Sequence, residues 1–208
     1  MKLAVYGAGG LGREVMLLVE QANAHKATWE IVGYFDDGKS KGESVGRWKV
    51  LGGKNEIRQV GEIAIVVGIA DPVIRKNIVA AIATPAIKFP VIIHPTCQTG
   101  DQDNRFGHGT ILTAGVVLTT GVQLEEFVII NLNTTIGHDV TIGKYAAVMP
   151  GCNISGNVKV GEGTLIGTGA KILQNLTIGK NCRVGAGAVV THDFPDDRTI
   201  VGVPAHDK

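Results

Sequence analysis

The chain has 208 residues, which is enough for one or two domains that each bury a hydrophobic core. It carries 20 Lys and Arg against 19 Asp and Glu, a formal net charge of +1, so it lacks the basic surplus that binding to a nucleic-acid backbone requires. The amino terminus shows no signal-peptide pattern, and no apolar stretch reaches the ~18 residues of a membrane span. We therefore expect a cytoplasmic protein without nucleic-acid or membrane partners.

Cysteine usage bears on disulfides and metal sites, and glycine usage bears on the backbone. The cysteines Cys97, Cys152 and Cys182 are far apart and form no CxxC pair, which favours reduced, buried thiols over disulfides or a zinc site. Glycine is abundant, with 29 residues in the chain, against an average share of about 7%. Because these glycines are not confined to low-complexity segments, they indicate a backbone with many tight corners.

Apolar runs alternate with helical patterns from Met1 to about Pro95, which predicts a βαβ arrangement, a small parallel sheet covered by helices. The expected strands are Lys2–Tyr6, Trp29–Phe35, Ile63–Gly68 and Phe89–Ile93. The expected helices are one from near Gly10 past Glu20, a short one within Asn55–Val60, and one from an Asp71 N-cap and Pro72 through Ala83. Ligands of such a sheet bind at the carboxyl ends of its strands.

After Pro95 the helical period gives way to a period of six. Every sixth residue is aliphatic: Leu112, Leu118, Leu124, Ile130, Ile136, Ile142, Val148, Ile154, Val160, Ile166, Ile172, Ile178, Val184 and Val190. The fourth residue after most of these is small or β-branched, and Leu176 is the bulky exception. Three consecutive hexads form the three sides of a triangular coil, which predicts a parallel β-helix of more than four coils with the aliphatic residues inside. An ordinary β-sandwich has a period of two and predicts no such spacing.

Glycine directly follows the aliphatic residue in six of these hexads, where a corner conformation or close packing would suit a residue without Cβ. These residues are Gly137, Gly143, Gly161, Gly167, Gly179 and Gly185. The period by itself does not give the hand of the β-helix. The general rule favours a right-handed one, because parallel crossovers are right-handed in about 98% of cases.

A GxGxxG motif, formed by Gly7, Gly9 and Gly12, comes straight after the first predicted strand. Such a loop lets a phosphate approach backbone amides at the start of the following helix. Asp36 and Asp37 close the second strand, where a carboxylate would reach a ribose or a base edge. The motif also suits NAD, but about ninety residues leave room for only one mononucleotide-binding half. The sequence therefore favours a mononucleotide diphosphate, and a tight turn without a ligand stays open.

His138 is the candidate general base. Only the aliphatic residue of each hexad and the one four places on point inward, so His138, two places after Ile136, lies on the outer surface near a corner. Asp139 follows it, and Asn131 lies one hexad plus one residue upstream. A histidine with a carboxylate that holds its charge is suited to proton transfer.

His108 and His192 occupy the same place in their own hexads as His138, which raises the alternative of a metal site. His192 lies three whole coils from His138, or about 14 Å by strand spacing, and His108 falls on a different corner. We therefore expect no catalytic metal.

The hexads resemble the hexapeptide acyltransferase family, whose β-helix is left-handed, and this resemblance covers the part of the chain that follows Pro95. The motifs GAGGLG, YFDD, VVGIADPVIRKNI, IIHPT, IINLNTTIGHD and VGVPAH occur in this order. Together they resemble the bacterial sugar acetyltransferases of the bacillosamine, perosamine and sialic acid type. The resemblance implies an α/β Rossmann-like domain that binds a nucleotide sugar at residues 1–95, followed by a left-handed parallel β-helix acyltransferase domain at residues 96–208.

The resemblance also implies a function: acetylation, from acetyl-CoA, of the 4-amino group of a nucleotide-linked 4-amino-4,6-dideoxy sugar, in a homotrimer with active sites between subunits. It makes His138 the general base, Asp139 the acid that raises its basicity and Asn131 a supporting contact. The implied binding residues are Gly9, Gly10, Leu11, Asp36, Asp37 and Gly68 for the nucleotide sugar, and Ala147, Thr168 and Ala186 for acetyl-CoA.

One position departs from the family pattern, because relatives often carry a second histidine where this chain has Ala147. We expect direct transfer without an acyl-enzyme, since Cys152 and Cys182 occupy inward positions of their hexads and Cys97 has no partner motif. O-acetylation of a sialic acid and a non-enzymatic β-helix scaffold stay open as alternatives.

Overall fold

The computed structural model describes residues 1–100 and 102–208, and these form two compact units, Met1–Pro95 and Thr96–Lys208. The elements of the first unit are β1 (Lys2–Tyr6), α1 (Gly10–His25), β2 (Glu30–Phe35), β3 (Ser44–Val45), β4 (Trp48–Lys49), α2 (Lys54–Ile57), β5 (Ile63–Val67), α3 (Pro72–Ile82), β6 (Ile87–Lys88) and β7 (Ile92–Ile93). Among the described residues, no helix has the length and apolar character of a membrane span.

The first unit is built on a parallel sheet with the strand order β2-β1-β5-β6. Every residue of β5 is buried, as expected for a central strand that is covered on both faces. Tyr6 pairs with Phe35, so β1 and β2 end side by side at the carboxyl edge of the sheet. This edge therefore carries both the glycine loop and the acidic pair, as the sequence predicted.

Helix α3 begins as the sequence predicted. The Asp71 side chain accepts hydrogen bonds from the backbone N–H groups of Val73 and Ile74, at 2.9 and 3.0 Å, and Pro72 occupies the first turn. Arg75, one turn further on, is fully buried and donates to the carbonyl oxygens of the two residues that follow Gly68, Ile69 and Ala70. The arginine thus holds the chain where β5 ends.

One strand prediction in this unit was wrong, and one hairpin was not predicted. The segment Phe89–Ile93 is not one strand: β6, which pairs with β5, ends at Lys88, and only Ile92–Ile93 of the segment form a strand, β7. Pro90 lies between the two strands, and it has no N–H group to donate to a strand ladder. The hairpin of β3 and β4 was not predicted, because such short strands carry no detectable alternation.

The second unit is a stack of very short strands. They are β8 (Arg105–Phe106), β9 (Ile111–Leu112), β10 (Val117–Leu118), β11 (Gln123–Leu124), β12 (Ile129–Ile130), β13 (Thr135–Ile136), β14 (Thr141–Ile142), β15 (Ala147–Val148), β16 (Asn153–Ile154), β17 (Lys159–Val160), β18 (Leu165–Ile166), β19 (Lys171–Ile172), β20 (Thr177–Ile178), β21 (Arg183–Val184), β22 (Val189–Val190), β23 (Thr199–Gly202) and β24 (Ala205–Asp207).

Strands β8 to β23 form three parallel faces, and each hexad pairs with the hexad one full coil further on, whereas β24 pairs antiparallel with β23. Ile136, for example, pairs with Leu118 in the coil before it and Ile154 in the coil after it. All fourteen aliphatic residues of the repeat are buried, whereas Leu176 is only partly buried. The hexad interpretation of the sequence is therefore confirmed.

The glycines that follow the aliphatic residues serve close packing and not corner conformation. A Cβ added at Gly137 would lie 2.7 Å from the backbone nitrogen of Gly156 in the next coil. The left-handed backbone occurs two residues after this position in thirteen of the fourteen hexads, at Gly115, Gly121, Phe127, Asn133, Asp139, Tyr145, Gly151, Asn157, Gly163, Gly169, Asn175, Asn181 and Gly187. Glycine, Asn and Asp adopt this conformation most readily.

We expect Ile172→Ala to lower the free energy of unfolding by about 2–5 kcal/mol, because it leaves a cavity inside the β-helix. Lys171 belongs to the same strand but points outward, so Lys171→Ala should change stability by less than about 0.5 kcal/mol. Urea unfolding followed by circular dichroism measures both variants. Equal losses would contradict the assignment of inside and outside.

Candidate active site

His138 and Asp139 form an exposed pair at a corner of the β-helix. The His138 side chain is 63% exposed, and its Nδ1 lies 2.9 Å from Oδ2 of Asp139. Asp139 occupies the left-handed position of the corner, with a φ of 59°. The carboxylate faces Nδ1, so Nε2 is the ring nitrogen that is available to accept a proton. The structure thus brings together these two residues of the predicted site.

Asn131 lies at the preceding corner of the coil, directly after β12, and is buried. Its Oδ1 accepts hydrogen bonds from the backbone N–H of Leu132 at 2.8 Å and from the hydroxyl of Thr113 at 3.4 Å. These contacts stabilise its own corner. Any support that Asn131 gives to His138 stays a prediction.

The three residues predicted to bind acetyl-CoA differ in their surroundings. Thr168 and Ala186 are exposed and occupy the same corner in neighbouring coils, where the N–H of Gly187 donates to the carbonyl oxygen of Thr168 at 2.8 Å. Ala147 is fully buried in β15. Its side chain is therefore not accessible to an acyl donor. All three assignments stay predictions.

Asp36 anchors the glycine loop. Its Oδ2 accepts a hydrogen bond from the N–H of Ala8 at 2.7 Å, and its Oδ1 accepts one from the N–H of Gly38 at 2.8 Å. Gly12 permits the loop to fold back, because a Cβ there would lie 1.9 Å from the carbonyl oxygen of Gly7. Two of the amides on which a phosphate would rest, those of Gly10 and Leu11, lie in the first turn of α1.

Space is open beside Gly9 and Gly10, where an added Cβ would meet no atom within 4 Å. Gly68 is different, because a Cβ there would lie 2.8 Å from Cα of Gly12. Gly68 therefore serves the packing of β5 against the start of α1, and its predicted contact with a nucleotide sugar stays a prediction.

Asp37 faces a cavity of about 260 Å³ lined by Asp36, Asp37, Lys39, Lys41 and residues 52–56. Burial acts to raise its pKa, but the N–H of Lys54, the neighbouring Tyr6 hydroxyl and the Lys54 ammonium group outweigh it and lower the pKa. Burial, together with this carboxylate, raises the pKa of Tyr6. Asp37 is thus a charged acceptor at the edge of the cavity.

Two cations beside the glycine loop were missed by the sequence reasoning. A second cavity, of about 400 Å³, is lined by Ala8, Gly9, Arg13, Lys39, Ser44, Val45 and Gly46. Arg13 directly follows the last glycine of the motif, and Lys39 comes shortly after the acidic pair. Their proximity to the two motifs was the available signal, although surface lysines and arginines are common enough to hide it.

The other corner histidines have structural neighbours. The His108 ring packs edge-on against Phe127 with centroids 4.9 Å apart, and the centroid of the His192 ring lies 4.4 Å from that of Phe194. Within residues 1–100 and 102–208, no group of three His, Cys, Asp or Glu side chains is placed to hold a metal ion. The absence of a catalytic metal stays a prediction.

A stack of hexad coils with an exposed histidine-carboxylate pair at one corner, preceded by a parallel-sheet unit with a glycine loop, defines a hexapeptide-repeat transferase. Residues 2–82 match the family described as the PglD N-terminal domain, and residues 157–192 match the bacterial transferase hexapeptide family. The acetyltransferase domain of PglB from Neisseria gonorrhoeae is 34% identical, with a TM-score of 0.92 over 100% of this chain and 99% of that one. The chain belongs to the family of hexapeptide-repeat sugar acetyltransferases of the bacillosamine and perosamine type.

Two further relatives support this assignment. A GDP-perosamine N-acetyltransferase of Escherichia coli O157:H7 is 28% identical over 153 residues, which are 73% of this chain and 69% of that protein. PerB from Caulobacter crescentus, solved in complex with CoA and GDP-perosamine, is 26% identical, with a TM-score of 0.90 over 100% of this chain and 97% of that one. The resemblance stated from the sequence and the left-handed β-helix that it implied are confirmed.

We expect Asp36→Ala to destabilise the first unit by about 1–3 kcal/mol, because the N–H groups of Ala8 and Gly38 lose their acceptor. Asp36→Asn retains one acceptor oxygen and should lose less. Thermal unfolding of both variants gives the comparison. A stable Asp36→Ala protein would contradict the anchoring role.

Proposed function

We propose that this protein transfers the acetyl group of acetyl-CoA directly to the 4-amino group of a nucleotide-linked 4-amino-4,6-dideoxy sugar. Its family confirms the enzyme class, an acetyl-CoA-dependent sugar acetyltransferase, and acetyl-CoA as the acyl donor. The observation that carries the proposal is the exposed His138–Asp139 pair, with its Nδ1 to Oδ2 distance of 2.9 Å. This pair is suited to removing a proton from an attacking amine.

In the proposed reaction, the amine nitrogen attacks the thioester carbonyl carbon while Nε2 of His138 accepts its proton. Asp139, at Nδ1, stabilises the imidazolium ion that forms. A new C–N bond replaces the C–S bond, and the leaving sulfur of CoA takes up the proton from the imidazolium ion. The products are an acetamido sugar and free CoA.

The cysteines support direct transfer without an acyl-enzyme. Cys152 and Cys182 are fully buried inside the β-helix, and burial raises the pKa of both thiols. Cys97 is partly buried, and its sulfur lies 3.1 Å from the carbonyl oxygen of Thr113. A nucleophilic thiol must instead be accessible and easily ionised.

For the acceptor, the proposal assigns the diphosphate to the amides of Gly9, Gly10 and Leu11. Arg13 and Lys39 line the same cavity and would balance its negative charge. Asp37 would accept hydrogen bonds from the ribose or the base, whereas Asp36 acts by anchoring the loop. The neighbour solved with GDP-perosamine makes this nucleotide sugar the first acceptor to test.

For the donor, the proposal assigns the pantetheine arm to the corner of Thr168 and Ala186. Both residues are exposed on neighbouring coils, and their small side chains leave the backbone accessible. The related PglB acetyltransferase domain has been solved in complex with acetyl coenzyme A, at 35% identity over the full length of this chain. That complex supports acetyl-CoA as the donor.

We expect His138→Ala to lower the rate of CoA release by about 10²–10⁴-fold, because the attacking amine loses its base. The assay uses acetyl-CoA with UDP- and GDP-linked 4-amino-4,6-dideoxy sugars and free sialic acid. Wild-type turnover only on sialic acid would replace the proposal with O-acetylation, and the absence of turnover on every acceptor would contradict the proposed chemistry. An unchanged rate in His138→Ala would contradict the assignment of His138 as the general base.

We expect Arg13→Ala and Lys39→Ala each to raise KM for the nucleotide sugar about 10-fold or more, because each deletes a charge-assisted contact with the diphosphate. KM for acetyl-CoA should not change. Lys26→Ala, at the opposite end of α1, is the control. Equal KM values for the two loop variants and the control would contradict the phosphate assignment.

We also propose a homotrimer with its active sites between subunits. Leu132 and Leu173 project from the β-helix with exposures of 39% and 42%, and a subunit interface would bury them. Sedimentation equilibrium should give three times the chain mass of 21.8 kDa. An active monomer would overturn this assembly.

The proposed location is the cytoplasm. All three cysteines are free, and two of them are fully buried. Free thiols are typical of proteins from reducing compartments.

A further inference from the structure

The stacking of coils arranges the outer corner residues in columns. The residue two places after each inward aliphatic lies at a corner, in register with its counterpart in the next coil. The three columns are Ala114, Leu132, Pro150, Thr168 and Ala186; Thr120, His138, Gly156, Gln174 and His192; and His108, Glu126, Lys144, Glu162 and Lys180. Among these fifteen residues Gly156 is the one glycine, and it follows His138 in its column.

The imidazole of His138 lies over Gly156. A Cβ added at Gly156 would lie 2.3 Å from Nε2 of His138, 2.6 Å from Cε1 and 2.7 Å from Cδ2. These separations are far shorter than van der Waals contact. The ring therefore occupies the space that the side chain of any other residue at position 156 would need.

The backbone does not explain the glycine. Gly156 does not belong to the residues with positive φ, so an alanine would fit its backbone conformation. The coils also stack at this corner in the ordinary way, since the N–H of Asn157 donates to the carbonyl oxygen of His138 at 2.7 Å. The three atoms nearest to a Cβ at position 156 all belong to the His138 ring.

We infer that Gly156 is a positioning residue whose missing side chain provides the seat for the His138 imidazole. Two contacts then orient the ring: Asp139 lies 2.9 Å from Nδ1, and Gly156 lies beneath the edge that carries Nε2. A methyl group at position 156 forces the ring to rotate away, which moves Nε2 or breaks the contact with Asp139. This inference rests on the proposed role of His138 as the base.

The fold should tolerate the substitution Gly156→Ala, because the atoms in the way belong to an exposed side chain that can rotate. We expect kcat to fall by about 10–100-fold, the range that follows from misplacing a reacting group by about 1 Å. Both KM values should stay within about twofold of wild type, and the melting temperature should not change. Gly61→Ala is the matched control: its φ is not positive, and an added Cβ would meet no atom within 4 Å.

A double-mutant cycle separates a seat for the ring from a general effect on the corner. If Gly156 acts through His138, adding Gly156→Ala to His138→Ala causes no further loss of kcat. An equal loss in both backgrounds overturns the inference, as does a raised KM for acetyl-CoA with unchanged kcat. Full activity of His138→Ala would instead remove the proposed base, so the two failures are distinguishable.

A second measurement reports the ring directly and does not depend on residual activity. The ¹⁵N spectrum of the imidazoles should show the His138 signals shifted in Gly156→Ala, while those of His108 and His192 stay in place. Unshifted His138 signals, with kcat reduced, would show that the methyl group acts on something other than the ring and would overturn the inference.

Discussion

The register between coils is the constraint on which the β-helix depends. Each strand pairs with its counterparts in the coils before and after it, so every inward side chain lies above another one. The ladder continues through the corner of the candidate site, where the N–H of Gly137 donates to the carbonyl oxygen of Ile154 at 2.9 Å. Because a slip of one residue would exchange inside and outside, the repeat fixes His138 as an outward corner residue. The proposed base is thus held by the most regular part of the molecule.

The same corner geometry supplies the carboxylate partner of His138. The third residue after nearly every inward aliphatic adopts a left-handed backbone, which Asp and Asn tolerate better than other residues with a side chain. Asp139 fills this position, and its backbone conformation brings its carboxylate into contact with Nδ1 of His138. Gly156 then leaves room for the ring from the next coil. Corner formation and the orientation of the His138 ring are therefore one structural feature.

The first unit uses its residues differently. Asp36 and Asp37 look equivalent in the sequence, but Asp36 is tied to the N–H groups of Ala8 and Gly38, whereas Asp37 faces a cavity. Arg75 is a similar case, because this helix arginine is buried and donates to backbone carbonyl oxygens. In both cases the carbonyl and amide groups of a tight loop, which need partners when buried, decide the role of the side chain.

The sequence by itself determined the elements that repeat or have strong local signals. The hexads place fourteen inward residues and an outward His138, and Asp71 with Pro72 marks the start of α3, because burial periodicity and capping are local properties. Only the tertiary structure decided which residues that are distant in the sequence come into contact. It buries Ala147, anchors the glycine loop through Asp36, brings Arg13 and Lys39 to one cavity and lays His138 over Gly156. Such contacts depend on distances between chain-remote atoms, and no periodicity records them.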